Sequence, residues 1–193
     1  MIIRLIRTIK RLFFPLAILF IATSFSGAYF SDSVSVSGNT FETGSWGGGT
    51  PPPTPAEVVI NEFLPNPVGP EPAGEWIELF NKGGSNADVN GWIFYDVIDS
   101  HALAITSANV VGGSTIISAG GYLIVNYQSP STFSLNNSGS ESVRLYNGVI
   151  GIGLLVDSVT YNGTIEGQTW ARVPDGVGGW TNNHIPTPGA ANS

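Results

Sequence analysis

From residue 57 onward, short apolar stretches recur between clusters of Gly, Asn, Asp, Ser and Pro. That rhythm predicts strands separated by turns, as sandwiches and barrels require. The apolar runs place strands at 58–64, 75–81, 92–96, 102–106, 114–117, 122–126, 142–146, 154–161 and 169–172. Where the alternation is clearest, in Ser142-Val143-Arg144-Leu145-Tyr146, Val143 and Leu145 share one face and Arg144 takes the other. Asn147-Gly148 and Asn162-Gly163 directly follow strands, where Gly can supply the positive φ of a tight turn. No apolar period of 3.6 runs long enough for a substantial helix. The expectation is an all-β domain, a β-sandwich of about seven to nine strands.

The start of the chain has a different pattern. Arg4, Arg7, Lys10 and Arg11 precede an apolar run over 12–22, and small residues then lead to Ser26-Gly27-Ala28. A basic head, a short apolar middle and a small-x-small exit predict a secretory signal over 1–28, cleaved between Ala28 and Tyr29. The alternative is an uncleaved anchor. A span needs about 20 mostly apolar residues, a length reached here only by counting Thr23, Ser24, Ser26 and Gly27. In either case the four positive charges keep the N-terminus inside and send the rest across the membrane. Localisation is therefore expected to be secreted or cell-surface, with membrane contact only through this segment.

Between the signal and the domain lie a short segment, 29–43, and a Gly/Pro linker, 44–56. The linker reads Gly-Ser-Trp-Gly-Gly-Gly-Thr-Pro-Pro-Pro-Thr-Pro-Ala, a flexible joint and then a stiff spacer. In 29–43, Val34 and Val36 alternate with serines ahead of Phe41. Such a segment could add to a neighbour's exposed sheet edge, giving self-assembly, or could be a disordered stalk.

Charge narrows the partners. All fourteen acidic residues lie beyond position 28, where only Lys82, Arg144 and Arg172 oppose them, a net charge of −11. Nucleic acid is not expected as a partner, because its affinity rests on Lys and Arg displacing counterions. Anionic lipid finds no basic patch. A protein or a component of the cell envelope fits better. With no cysteine in the chain, disulfide stabilisation, thiolate catalysis and Cys-zinc sites are excluded.

The order of motifs resembles the lamin-tail domain family over 57–193. Val59-Ile60-Asn61-Glu62-Phe63 is similar to that family's opening strand, and Gly74-Glu75-Trp76-Ile77-Glu78-Leu79-Phe80-Asn81 to its second. Asp88-Val89-Asn90-Gly91-Trp92 comes next. Asp157-Ser158-Val159-Thr160-Tyr161, Arg172-Val173-Pro174-Asp175-Gly176 and Thr187-Pro188-Gly189-Ala190-Ala191-Asn192 resemble the closing elements. The resemblance implies an immunoglobulin-like β-sandwich and carries no catalytic residues. A chromatin role does not transfer with it, because this copy lacks a basic surface and shared fold does not give shared function. A second resemblance covers the junction: Ala28-Tyr29-Phe30-Ser31-Asp32 and Gly38-Asn39-Thr40-Phe41-Glu42-Thr43-Gly44 are similar to the signal junction of camelysin and TasA-type biofilm proteins, which a dedicated signal peptidase processes.

Candidate chemistry is sparse. His101 and His184 sit in turn-like surroundings, and no Gly-x-Ser-x-Gly or His-Glu-x-x-His motif is present. Glu62, Glu75, Glu78 and Asp157 lie nearest the strands; Glu62, Glu75 and Asp157 are the calcium candidates, although no Asp-x-Asp-x-Asp-Gly loop spaces them as ligands. The ordinary role for such carboxylates is to accept backbone hydrogen bonds or to pair with Arg144 and Arg172. Trp76 and Trp92 are expected in the core. Trp180, flanked by glycines, is expected to be exposed and is the aromatic candidate for a partner or for sugar stacking. No cofactor is expected. The function implied is a non-catalytic surface binding or structural module, with a carbohydrate-binding module or a carboxylate-based hydrolase as alternatives.

Overall fold

The computed structural model describes residues 56–193, which fall within one compact unit, Thr50–Ser193. Among the described residues every regular element is a strand: β1 (Val58–Leu64), β2 (Trp76–Asn81), β3 (Ala87–Asp88), β4 (Ile93–Tyr95), β5 (Ala102–Ala104), β6 (Ile116–Ile117), β7 (Tyr122–Asn126), β8 (Ser140–Tyr146), β9 (Leu155–Asn162), β10 (Thr169–Val173) and β11 (Gly179–His184). A five-stranded sheet in the order β11-β10-β1-β2-β7 faces a four-stranded sheet in the order β5-β4-β8-β9, and β3 pairs with β6 beside them. All the pairings are antiparallel. This is an immunoglobulin-like β-sandwich.

Between the sheets lie Ile60, Phe63, Ile77, Leu79 and Val125 from one side, and Phe94, Leu103, Val143, Leu145, Val159 and Tyr161 from the other. Each fully buried large apolar side chain contributes roughly 1.5–3 kcal/mol, and this core takes the place of the missing disulfides. Phe63 anchors one end, with its ring centroid 5.0 Å from Tyr161 and 5.4 Å from Trp180.

A bulge in β1 sets which side chains reach each face of this sheet. Ile60 pairs with Leu79 and Glu62 with Glu78, so Asn61 is the extra residue. Ile60 and Phe63, three apart in a strand of period two, can therefore both point into the core. Because Ile77 and Leu79 face inward, Glu78 between them projects from the opposite face of the sheet. Its cross-strand partner Glu62 is fully buried as well. That face of the sheet is covered by residues 187–192.

Nine strands match the sequence reading to within a few residues. Two were not foreseen. β3 is only two residues long, and β11 is mostly polar and half-exposed, held by its backbone ladder to β10. One turn also differs. Gly163 has the expected positive φ of 74°, but in the loop after β8 the positive φ falls on Gly151 (88°) rather than on Gly148.

Candidate functional site

Most of the carboxylates singled out from the sequence act as fasteners inside the fold. Glu62 accepts from Thr169 Oγ1 at 2.6 Å, from the Thr187 N–H at 3.1 and 3.2 Å, and from Thr187 Oγ1 at 3.1 Å. Glu78 accepts from Asn61 Nδ2 at 3.0 Å and from the Gly189 N–H at 2.6 Å. Asp175, in the turn between β10 and β11, accepts from Asn61 Nδ2 at 3.0 Å, from the Tyr122 hydroxyl at 2.7 Å and from the Asn192 N–H at 3.0 Å. Asn192 Nδ2 donates to the carbonyls of Asn61 and Arg172. The Thr187–Asn192 motif thus binds the outer face of the five-stranded sheet through groups that would otherwise be buried without partners.

Burial pushes the Glu78 carboxyl up to about 7; the Asn61 and Gly189 hydrogen bonds oppose this, and the charges of Glu62 and Asp175 add to it. Asp157 links the two sheets. It accepts from the Ile60 N–H at 2.9 Å and pairs with Arg172 Nη2 at 3.1 Å, while Arg172 Nε donates to the Ile60 carbonyl at 2.8 Å. The expected Asp157–Arg172 pairing is present. Arg144 instead pairs with Asp99 and donates to the Asp96 carbonyl.

His184 corrects the reading of a turn residue at the surface. Its side chain is 10% exposed, with Nδ1 3.5 Å from Glu62 Oε1 and Nε2 3.2 Å from the carbonyl of Ser193. His101 Nδ1 lies 2.9 Å from Asp96 Oδ2. Neither has a nucleophile beside it among its hydrogen-bond partners.

Trp180 corrects another. It is half-buried, packed on the core against Phe63, with the Arg172 guanidinium 4.7 Å above its ring. With Arg172 over its ring and Phe63 packed against it at a tilt of 58°, it is not the exposed aromatic that was expected. Trp92 packs on the core as expected, but only in part. Trp76 is half-buried and outside the core cluster, because it lies on the same side of β2 as Glu78.

The three calcium candidates are not brought together, and among the described residues no three Asp, Glu or His side chains group as a metal cage. Glu62 and Asp157 have their oxygens engaged as above. Glu75 stands apart. It is 4% exposed and lines a cleft of about 380 Å³ with Glu71, Tyr127, Ser131, Ser134 and Asn137. Its Oε2 accepts from the Leu135 N–H at 2.9 Å. Burial pushes its carboxyl up to about 8; the Leu135 bond works against this and the nearby Glu71 charge reinforces it. Sequence reasoning did not single out Glu71 or Asn137, which lie in loops whose approach only the fold reveals. The partner-binding candidates Val34, Val36 and Phe41, and the cleavage pair Ala28 and Tyr29, lie outside the described residues.

Comparison with known families matches residues 51–163 to the Lamin Tail Domain. No curated protein and no solved structure matches the chain. Strands β10 and β11 continue the five-stranded sheet beyond the matched span. The chain belongs to the Lamin Tail Domain family.

Proposed function

We propose that this protein is an exported surface module, binding or structural in role, that performs no chemistry of its own. The observation that carries this reading is the engagement of the motif carboxylates: Glu62, Glu78, Asp157 and Asp175 hold backbone and side-chain donors of the fold. An immunoglobulin-like domain so arranged offers surfaces and edges to a partner, here a protein or an envelope component. Export rests on the basic head and apolar run of residues 1–28. The test is fractionation of cells expressing the full chain, with N-terminal sequencing of the product. A start at Tyr29 outside the membrane is expected. Intact Met1 in the membrane fraction replaces the cleaved signal with an anchor, and recovery in the cytoplasm refutes export.

The contact surface proposed is the end of the four-stranded sheet. β9 is its last strand, and Val149, Ile152, Leu154 and Leu155 are exposed in the loop before it and at its start. The occupant proposed is segment 31–41 of a second copy, with Val34, Val36 and Phe41 supplying the apolar side chains. Sedimentation of the exported chain with and without residues 29–43 decides it. A larger assembly that falls to monomer on deletion is expected; monomer mass for both proteins refutes it.

A further inference from the structure

The two sheets end in four outer strands, and three of them are closed. At β5, Ser131 Oγ donates to the Ala102 carbonyl at 2.9 Å, Thr132 Oγ1 accepts from the Ala102 N–H, and Asn109 Nδ2 donates to the Ala104 carbonyl at 3.0 Å. At β7, the segment around Val110 pairs along the strand, from the Val111 N–H to the Ile124 carbonyl and from the Asn126 N–H to the Asn109 carbonyl. β11 is broken by a bulge: Thr169 pairs with His184 but Ala171 with Thr181, which leaves one residue of β11 over. Bulges and covering loops are the usual protection of a sheet edge.

β9 has neither over most of its length. Residues 157–162 pair with 140–145 in unbroken register. Among the described residues their backbone bonds only to β8, apart from the Ser158 N–H, which Asp157 Oδ1 accepts at 2.8 Å. β9 lies over β1, and the five-stranded sheet runs on past it through β10 and β11. That overhang is two strands, about 10 Å wide. It carries the half-buried Trp170 and Trp180, which reach the core only at its rim, next to Tyr161 and Phe63.

The overhang selects its occupant by width. A second sandwich adding its β9 antiparallel to this one would bring its own β10 and β11 into the same space. A single extended segment fits. Residues 31–41 are such a segment, joined to the domain through the Gly/Pro linker, and Val34 and Val36 alternate there with Ser33, Ser35 and Ser37. β9 has the matching alternation: Val159 and Tyr161 are buried, while Ser158, Thr160 and Asn162 are exposed.

We propose that segment 31–41 of a second copy becomes the fifth strand of the four-stranded sheet, antiparallel to β9, with Val34 and Val36 laid over Trp170 and Trp180. This inference rests on the self-assembly proposed above and fixes its groove and register. Val36 falls opposite Val159 and Val34 opposite Tyr161, so Ser35 lies opposite Thr160 on the solvent side. Directly opposed residues of antiparallel strands have Cα atoms about 4.5–5.5 Å apart, a separation that a disulfide spans.

Because the chain has no cysteine, that register can be tested by cross-linking. Two exported full-length copies are co-expressed, one carrying Ser35→Cys and the other Thr160→Cys, and run on non-reducing gels after mild oxidation. A disulfide-linked dimer of the two variants is expected. It should be lost when Thr160→Cys is replaced by Ser118→Cys, in the exposed turn between β6 and β7 at the far side of the sandwich. Both β9 and turn positions are exposed, and urea midpoints confirm that the variants stay folded. Deletion-sensitive assembly without the Ser35–Thr160 dimer, or with equal cross-linking to Ser118→Cys, overturns the groove and leaves self-assembly standing. Monomer mass for the unsubstituted chain overturns both.

Discussion

Asn192 lies one residue from the end of the chain and beyond the span matched to the family, yet it is only 6% exposed. Replacing it with Ala removes two donated bonds, to the Arg172 carbonyl at 2.9 Å and the Asn61 carbonyl at 3.3 Å. It also removes the acceptor of Thr187 Oγ1 at 2.7 Å. The Asn192 N–H bond to Asp175 survives, and Thr187 Oγ1 keeps Glu62 as a partner. Each lost neutral bond is worth about 1 kcal/mol, with more where a buried acceptor is left unpaired. The expected destabilisation is therefore about 2–4 kcal/mol. In a domain of this size that lowers the midpoint of thermal unfolding by roughly 8–15 °C. Asn192→Asp should be worse than Ala, because it cannot donate and brings a charge towards Asp175 and the carbonyls of Asn61 and Arg172. Asn183→Ala, which loses an exposed bond to Thr181, is the control and should stay within about 0.5 kcal/mol. Urea unfolding with m compared across variants measures all three. A melting point for Asn192→Ala within a degree or two of the wild type, or an Asp variant as stable as Asn, would refute the claim that the tail is a fastened part of the sandwich.

Three further outcomes can be checked on the same protein. Glu75 and Glu78 are raised from 4.5 to about 8 and about 7, so the folded state holds more protons than the unfolded one between those values. Their contribution is whole below about pH 4.5 and is lost as pH climbs through 7 and 8, by about 1.4 kcal/mol per pKa unit and a few kcal/mol in all; urea midpoints in EDTA at pH 5.5 and 8.5 should fall with pH, and a flat or rising trend contradicts it. Gly176 has φ 67°, and a Cβ there would lie 2.8 Å from Phe80 Cδ1, so Gly176→Ala should cost about 2–3 kcal/mol in chemical denaturation, whereas Gly91→Ala, at φ 78° with open space around it, should cost about 1 kcal/mol. Trp180→Ala should lower stability by about 2 kcal/mol through lost packing on Phe63 and under Arg172; an unchanged melt with loss of sugar binding would restore the open-platform reading.

How much of the fold and of the cleft was legible depended on the range of the interaction. Strands with apolar runs, such as Tyr122–Asn126 and Ser140–Tyr146, announce themselves because burial and period two act together within a few residues. Gly179–His184 was silent: Trp180 is its one large apolar residue, and its strand conformation comes from pairing with β10. Trp180 looked exposed because its neighbours are glycines, but its environment is set by Phe63 and Arg172, which its own flanking residues do not announce. The same holds for Glu62, whose partners Thr169, Thr187 and His184 lie more than a hundred residues on. The motif order showed that these segments belong together; only the fold shows that their polar residues meet.

This meeting bears on where function can reside. Asn61, Glu62 and Glu78, within the span matched to the family, contact Asp175, Gly176, Thr187 and Asn192, which lie beyond it. Asn61 alone, as the bulge residue, donates to Glu78 and Asp175 and accepts from the Gly176 N–H. These contacts close the sandwich by joining β1 and β2 to the turn after β10 and to residues 187–192. Contacts that hold a fold together do not by themselves say what it binds. Surfaces not used in these contacts are the cleft walled by the Glu71 and Asn137 loops and the apolar stretch 149–155 ahead of β9. Glu75 is the one motif carboxylate that faces such a loop-built surface. A variant at Asn61 should therefore unfold the protein without revealing what it does, whereas a variant at Leu154 should leave the melting point in place and change only what the folded protein binds.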